Sequence, residues 1–291
     1  MVSITGYQNN KMTIMKLHNL LLWLLICTLV PYKLVCQTYI GMDIGYGLPL
    51  AAQDMPDGNL TFFDNDTYEN SVFRLSLGAG ITYSLSLSRE INSKMGISCG
   101  VSYLQGNSHR KTIIIDASSS KYVDTYSGNM LWFRPQIRLK SPKIKQLSPY
   151  FEIGPSFGCF GKVVESGERN SPMESSKSKR INNKGISYGA SATLGGTFRP
   201  FKKSDKLQVN IAIRMVSASF APKQGELVQL EQNGVDILST RSVSGRKRVY
   251  KKKYISDPSA PGNPDLPRSS LRQYYPFSSI ALNIGLCYRL K

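Results

Sequence analysis

The stretch VFRLSLGAGITYSLSL, residues 72–87, alternates apolar residues with small or polar residues from end to end. Successive side chains of a β-strand point to opposite faces, so this pattern predicts one long strand. Strands of soluble proteins are usually about 5–6 residues long, whereas a tilted strand that crosses a bilayer needs roughly 9–11 residues. Because one face is continuously apolar and the other is rich in Gly and Ser, the stretch indicates a strand between lipid and a crowded barrel lumen.

Eight segments of the chain share this alternation: residues 39–48, 72–87, 95–104, 129–140, 150–162, 185–199, 207–220 and 278–290. The connections between them are alternately long and short, as in outer-membrane barrels, whose periplasmic turns are short and whose extracellular loops are long. The sequence therefore predicts an all-β fold, an eight-stranded antiparallel up-and-down transmembrane β-barrel with long extracellular loops. Both termini would be periplasmic. Pro135 and Pro155 fall within two segments and predict local bulges.

A soluble β-sandwich or lipocalin-type barrel is the competing interpretation of the same alternation. In such a fold the polar face points to water and is expected to be rich in Lys and Glu. The polar faces here are mostly Gly and Ser with a few arginines, and aromatic residues stand near several segment ends. Interfacial girdles of membrane barrels have this composition. We therefore expect the apolar faces to contact lipid.

Residues 1–36 have the features of a secretory signal peptide. Lys11 and Lys16 precede the apolar run LLLWLLICTLV, residues 20–30, which is too short for a comfortable membrane-spanning helix. We predict cleavage after Cys36 and a single outer-membrane β-barrel domain over residues 37–291. A lipoprotein in which Cys36 is acylated is the alternative.

The two ends of the predicted mature chain resemble a known group of proteins. The stretches QTYIGMDIGYGLPL, residues 37–50, and SSIALNIGLCYRLK, residues 278–291, are similar to outer-membrane β-barrel domain proteins of Bacteroidetes, which include PorT-like and small OmpX-like barrels. In this group the closing strand resembles the signal that the barrel-insertion machinery reads, and Tyr288 would be its aromatic residue. The resemblance implies a bacterial outer-membrane location and a barrel fold. It does not imply one activity, because unrelated functions share such scaffolds.

The polar faces place several charged residues inside the predicted barrel. An eight-stranded barrel is just wide enough for side chains to fill, and buried charges must pair or contact water. We therefore predict a packed lumen with a charge network, and a porin-like, anion-selective path lined by arginines is the alternative. The predicted network comprises Asp43, Arg74, Arg134, Arg138, Glu152, Arg199, Arg214 and Arg289.

The basic residues of the chain point to an anionic partner. The formal net charge is +18, but the basic residues are dispersed over turns and loops of an exported chain, so we expect no nucleic acid as a partner. The connection 221–276 carries ten basic and five acidic residues. Lys and Arg pair with phosphate, which favours lipopolysaccharide or an envelope protein as the partner. The predicted partner site is Arg246, Lys247, Arg248, Tyr250, Lys251, Lys252, Lys253 and Tyr254.

Two further loop features have simpler interpretations. The acidic connection 49–71 lacks the ligand spacing of an EF-hand, so it predicts a solvated loop. Asn233-Gly234, between two β-prone runs, predicts a type I′ hairpin that lies above the membrane.

No motif for catalysis, a metal or a cofactor occurs in the chain. His109 lies near Ser108 and Asp116 in the sequence but within no hydrolase motif, and the three cysteines after residue 37 have no ligand or disulfide spacing. We therefore predict a non-enzymatic envelope protein without a cofactor, embedded in outer-membrane lipid. The alternatives are a PorT-like component of a secretion or envelope assembly machinery and a lipid-modifying enzyme that would use His109 as its base.

Overall fold

The computed structural model describes residues 37–50, 53–54, 59–62, 68–71, 74–115, 120–142, 144, 146–200, 206–253 and 263–290. They belong to one compact unit that starts at Gln37. The predicted signal peptide, Asp116 and Tyr254 lie outside the described residues. Among the residues described, no helix is long and apolar enough to cross a membrane.

Eight antiparallel strands close into a ring, which confirms the predicted fold class. Each strand of the ring pairs with its neighbour along the chain, and the last strand pairs with the first in a continuous register from Thr38–Leu290 to Pro49–Ser279. We number these barrel strands in chain order: β1 (Thr38–Pro49), β2 (Gly80–Glu90), β3 (Met95–Gly106), β4 (Ser120–Lys140), β5 (Leu147–Asn170), β6 (Ile186–Phe198), β7 (Leu207–Ala221) and β8 (Ser279–Leu290).

The connections alternate in length around the ring. At one end, which we call the turn end, short connections over 91–94, 141–146 and 199–206 join the strands, and β1 begins and β8 ends there. The opposite end, which we call the loop end, carries the long connections. The predicted alternation of short and long connections is therefore confirmed.

The outer face of the ring is apolar. On β1, Met42 is 66% exposed and Ile44 is 48% exposed, whereas Gly41 and Gly45 beside them are buried. The same alternation of exposed apolar and buried small or polar residues runs along the neighbouring strands, as in Leu85, Ile211, Ile213, Leu282, Ile284 and Leu286. A contiguous apolar surface of this kind is unfavourable in water and suited to lipid.

The alternating stretch 72–87 is not one strand, so the prediction of a 16-residue strand is wrong. β2 begins only at Gly80, which has a φ of +143°. Before it, Arg74–Leu75 pairs with Gln53–Asp54 in a separate two-stranded sheet. From Ile81 onward the apolar residues face outward as predicted.

The apolar residues before Gly80 point into the barrel. Leu75 and Leu77 are fully buried, and Ala79 is 4% exposed. The sequence predicts that these residues face lipid, and this prediction is wrong. Before Gly80 the chain turns into the lumen, where apolar residues are also buried. The alternation therefore continues across a change of direction that periodicity alone does not reveal.

At the loop end, β4 and β5 continue as 21- and 24-residue strands and extend the wall of the barrel into a sheet. We call this extension the loop-end sheet. The sequence predicted loops here, whereas the structure adds strands beside β4 and β5 in the order His109–Ile115 on one side and, on the other, Ser175–Asn183, Gln224–Gln232, Lys247–Lys251 and Arg268–Leu271.

The predicted hairpin at Asn233-Gly234 is confirmed. Both residues have positive φ, at 50° and 80°, as a type I′ turn requires. Gln232 pairs with Val235 across the turn, and the hairpin belongs to the loop-end sheet.

The seam between β4 and β5 is interrupted where Pro135 and Pro155 stand opposite each other. Ile153 pairs with Ile137 and Phe157 pairs with Phe133, and the intervening residues, all of them described, form no ladder pairs. Proline has no N–H to donate, which explains the interruption. The predicted bulge is absent at this point, because the register is the same on both sides. The register shift of this seam lies instead between Cys159 and Lys162.

Candidate functional site

The lumen contains three bands between the turn end and the loop end: an open polar mouth, a charged middle and an apolar plug. The mouth is a cavity of about 320 Å3 at the turn end. The plug is a cluster of buried apolar residues from both the wall and the long connections. The predicted lumen charges lie mainly between these two bands.

The first ion pair of the charged middle joins adjacent strands. Arg138 on β4 stands opposite Glu152 on β5. Its Nε and Nη2 atoms each lie 2.7 Å from Glu152 Oε1, and Glu152 is only 5% exposed. The Arg138 guanidinium also lies 4.4 Å from the centre of the Tyr150 ring. A charged pair at this depth is held by short, charge-assisted hydrogen bonds.

The second ion pair crosses the lumen between strands that are not neighbours. Arg214 on β7 donates from Nη2 to Asp43 Oδ2 on β1 at 3.2 Å. Its Nη1 donates to Ser84 Oγ on β2 at 2.9 Å and to Asn283 Oδ1 on β8 at 3.1 Å. One guanidinium therefore links four strands, which is possible because the lumen of an eight-stranded barrel is about one side chain wide.

Arg134 lies in the same region but has a different environment. It is 2% exposed and forms no ion pair with the described carboxylates, and its Nε atom has no hydrogen-bond partner among the described residues. The charged middle thus contains three guanidinium groups and two carboxylates. Asp43 and Glu152 also act on Arg134 electrostatically from beyond ion-pair distance, but the region as described carries one more positive than negative charge.

The remaining predicted network residues lie elsewhere. Arg74 is exposed on the short strand Arg74–Leu75, so its placement in the lumen was wrong. The prediction failed because it extended β2 back through residues that turn away from the wall. Arg199 follows β6 and lines the mouth, and Arg289 is half-buried opposite Tyr39 near the turn end.

The mouth is lined by charged and aromatic groups. Besides Arg138 and Arg199, its lining includes Glu90 and Lys140, which form an ion pair, and the phenols of Tyr39 and Tyr150. The mouth opens at the turn end and reaches inward to the charged middle, because Arg138 lines both.

The apolar plug fills the loop end of the lumen. Leu77, Met130, Phe220 and Phe277 are fully buried, and the rings of Phe220 and Phe277 meet edge to face with centroids 5.9 Å apart. Leu77 N–H donates to the carbonyl of Pro276 at 2.8 Å, and this hydrogen bond joins the segment before β2 to the segment before β8. These contacts fill the loop end of the described lumen with apolar side chains.

The loop-end sheet has its own buried polar groups, including Tyr250 of the predicted partner site. Tyr250 is 4% exposed, and its hydroxyl donates to Asn182 Oδ1 at 2.9 Å. The Tyr275 hydroxyl donates to Glu165, and burial together with this carboxylate raises the pKa of Tyr275. Tyr250 was predicted as part of the partner site, but it packs inside the sheet, where a partner cannot reach its ring.

The basic residues around Tyr250 divide into two sets. Arg246 and Arg248 are half-buried, whereas the other cations are exposed along the outer margin of the loop-end sheet. Arg268 lies beside this run because Arg268–Leu271 pairs in parallel with Arg248–Lys251. We call the exposed set the basic edge: Lys247, Lys251, Lys252, Lys253 and Arg268.

His109 is half-buried and contacts the segment before β2. It begins the strand His109–Ile115 and hydrogen-bonds to the backbone of Ser76, and its Nε2 atom is buried without a partner among the described residues. Burial lowers the pKa of His109. Ser108 is exposed next to it. No group of three or more potential metal ligands occurs among the described residues, and the absence of enzymatic activity stays a prediction.

Because the folded protein disfavours protonated His109, we expect acid to weaken the loop end. The lowered pKa means that the unfolded chain binds more protons than the folded one below the unfolded value of roughly 6.5. This contribution to stability is complete above that pH and is lost as the pH falls toward the folded pKa. Urea unfolding midpoints at about pH 7.5 and 5.5 should therefore differ less in His109→Gln than in wild type. Equal pH dependence of the two proteins would contradict this role.

Comparison with known proteins finds a likeness only among solved structures. No protein-family model matches the chain, and no curated protein matches it. The crystal structure of Ail, the attachment invasion locus protein of Yersinia pestis, is similar at 9% sequence identity and a TM-score of 0.26, over 88% of this chain and 97% of that chain. A structure of Ail in complex with the heparin analogue sucrose octasulfate is similar at 10% identity and a TM-score of 0.25, with the same coverage. At these values the likeness carries no conclusion about function.

Proposed function

We propose that the chain is a bacterial outer-membrane barrel that displays the basic edge outside the cell, where it binds phosphate groups of anionic surface glycolipid such as lipopolysaccharide. The observation that carries this proposal is the exposure of the basic edge on a sheet that continues the barrel wall. The closed lumen supports an anchoring role, and we propose no enzymatic step.

The proposed membrane placement follows from the outer face of the ring. Exposed apolar residues cover consecutive strands, and the polar groups of those strands point inward. A closed barrel satisfies its backbone hydrogen bonds internally, which is the condition for a β-structure in lipid. The short connections would be periplasmic and the loop-end sheet extracellular, as in other outer-membrane barrels.

The proposed ligand class follows from the composition of the basic edge. Lys251, Lys252 and Lys253 are consecutive and exposed at one end of their strand, and Arg268 stands opposite Arg248, beside Lys247, at the other end. Like charges at this spacing repel one another, and phosphate groups relieve the repulsion. Lysine ammonium groups bind phosphate as flexible point charges. Tyr250 would hold the strand in the sheet without contacting the ligand.

We expect the variant Lys251→Gln/Lys252→Gln/Lys253→Gln to fold normally and to bind lipopolysaccharide vesicles several-fold more weakly than wild type at low salt. The difference should shrink as salt rises, because exposed charges are screened over about 8 Å at physiological ionic strength. Binding is measured by co-sedimentation with vesicles of lipopolysaccharide and with vesicles of its dephosphorylated form.

A matched control removes the same charge elsewhere on the loop-end sheet. The variant Lys177→Gln/Lys179→Gln/Lys184→Gln replaces three exposed lysines that lie away from the basic edge. It should retain binding. Equal losses of vesicle binding in both variants would mean that the net charge of the sheet attracts the vesicles and that the basic edge is not a specific site. Unchanged binding by the first variant would overturn the proposed site. Binding that needs an acidic protein, and not phosphate, would identify a protein partner instead.

The orientation of the barrel is tested by cysteine labelling. A membrane-impermeant maleimide should label Lys252→Cys on intact cells and should label Ser93→Cys, at the turn end, only after permeabilisation. Wild type is the control, because it retains Cys99, Cys159 and Cys287. Labelling of Ser93→Cys on intact cells would reverse the proposed orientation.

A PorT-like role in a secretion or assembly machinery is the second candidate. The observation that favours it is the polar mouth, which opens at the proposed periplasmic end and could receive a partner there. A photo-crosslinker at Ser93 would capture such a partner in the native envelope. The absence of a specific crosslink, with binding retained at the basic edge, would leave the glycolipid role alone.

A further inference from the structure

A second cavity lies inside the lumen, between the charged middle and the plug. Its volume is about 20 Å3, and its lining contains Arg134 and Arg214 together with the hydroxyl residues Thr82, Ser102 and Ser279. The remaining lining residues are apolar, and no carboxylate is among the described residues that line it. It differs in this from the cavity below it, which Asp43 and Glu152 also line.

Three buried polar atoms of this lining have no hydrogen-bond partner among the described residues. They are Arg134 Nε, Arg214 Nε and Ser102 Oγ. Arg134 and Ser102 are each 2% exposed, and Arg214 is 8% exposed. Buried polar atoms are satisfied in most proteins, so three unsatisfied groups that belong to one cavity lining point to a bound species.

The local charge supports the same conclusion. Both carboxylates of the charged middle are already paired, Glu152 with Arg138 and Asp43 with Arg214. Arg134 is buried with Arg214 in the same cavity lining, and although Asp43 and Glu152 act on it from a longer distance, one positive charge of the region stays unbalanced. A buried charge is costly unless an opposite charge lies close to it. A negative ion beside Arg134 would supply that charge.

We propose that this cavity binds a monovalent halide ion, chloride in the native environment. A guanidinium nitrogen can only donate hydrogen bonds, and a halide can accept from several donors while it neutralises the excess positive charge. A water molecule would satisfy donors without changing the charge. The cavity has room for about one water-sized particle, which suits a monatomic anion better than sulfate or a lipid phosphate. The site is therefore separate from the proposed glycolipid surface.

The experiment compares salts at equal ionic strength. The mature barrel in detergent should melt at a temperature several degrees higher in sodium chloride or bromide than in sodium gluconate, and the shift should saturate with halide concentration. In Arg134→Met the difference between the salts should disappear. In Lys177→Gln, which removes an exposed charge outside the lumen and away from the basic edge, it should persist.

A bromide soak of crystals provides a direct measurement, and anomalous scattering should show one ion within hydrogen-bond distance of Arg134 and Ser102. If Arg134→Met does not fold, Ser102→Ala removes one donor without altering the charge and should shrink the shift. Equal melting in chloride and gluconate, an unchanged shift in Arg134→Met, or bromide found only at surface lysines would each overturn the proposal. Loss of glycolipid binding alone would leave it intact.

Discussion

Glu152→Ala should lower the free energy of unfolding by about 3–5 kcal/mol, the largest effect that we expect from a single lumen substitution. The variant leaves the Arg138 guanidinium buried without the carboxylate that now lies 2.7 Å away. It also raises the excess of positive charge in the charged middle, because Asp43 would then be the one carboxylate facing three guanidinium groups. Urea titration of the barrel in lipid vesicles measures the change.

Two controls separate this effect from simple loss of packing. Glu90→Ala breaks the ion pair with Lys140 at the mouth, where Glu90 is 20% exposed, and it should cost only about 0–1 kcal/mol because water can solvate the released charge. The double variant Glu152→Ala/Arg138→Met removes both charges and should recover much of the loss. If Glu152→Ala lowers the free energy of unfolding no more than Glu90→Ala does, the charged middle is hydrated and the Arg138–Glu152 ion pair does not stabilise the fold.

Ile284→Arg should oppose insertion into lipid by about 2–4 kcal/mol, the cost of arginine at the middle of a bilayer. Ile284 is 56% exposed on β8, near the middle of that strand, and it stands opposite Ile44 on β1 and Ile211 on β7. The variant therefore places a charge at the centre of the apolar face. Refolding titrations into vesicles measure the cost.

The matched control is Leu48→Arg. Leu48 is also outward and 58% exposed, but it lies at the loop-end terminus of β1, where the same substitution should cost about 0–1 kcal/mol. A soluble barrel would tolerate arginine equally well at both exposed positions. Equally small insertion costs for the two variants would therefore contradict the membrane placement. A larger cost for Ile284→Arg would show that Ile284 lies deeper in the bilayer than Leu48.

The strands of the barrel could be predicted because each has to separate two environments. Along β1, for example, Gly41 and Asp43 alternate with Met42 and Ile44, so the sequence shows the two faces directly. The start of β2 could not be predicted. Leu75 and Leu77 continue the alternation while they enter the plug, and burial in the lumen and exposure to lipid both select apolar residues.

The charged middle was predictable in part. Arg138 and Glu152 lie on adjacent strands at positions that a register brings together, whereas the contact between Arg214 and Asp43 crosses the lumen and depends on closure of the ring. The burial of Tyr250 was not predictable. A tyrosine flanked by lysines can occur in a surface loop or in a strand, and the local sequence does not distinguish the two. The loop-end sheet was missed since its strands, such as Ser175–Asn183, are polar and lack an apolar face.

The opposed prolines of β4 and β5 give the barrel wall a built-in line of weakness. Each proline lacks a donor, and because the two face each other, both missing donors fall within a single seam. Gly154 lets the strands stay close there, since a Cβ on it would meet the carbonyl oxygen of Pro135 at 2.1 Å. Under a sideways load, this seam should part before its neighbours. Mechanical unzipping of the barrel should thus begin halfway up the wall, between the two strands that carry the loop-end sheet.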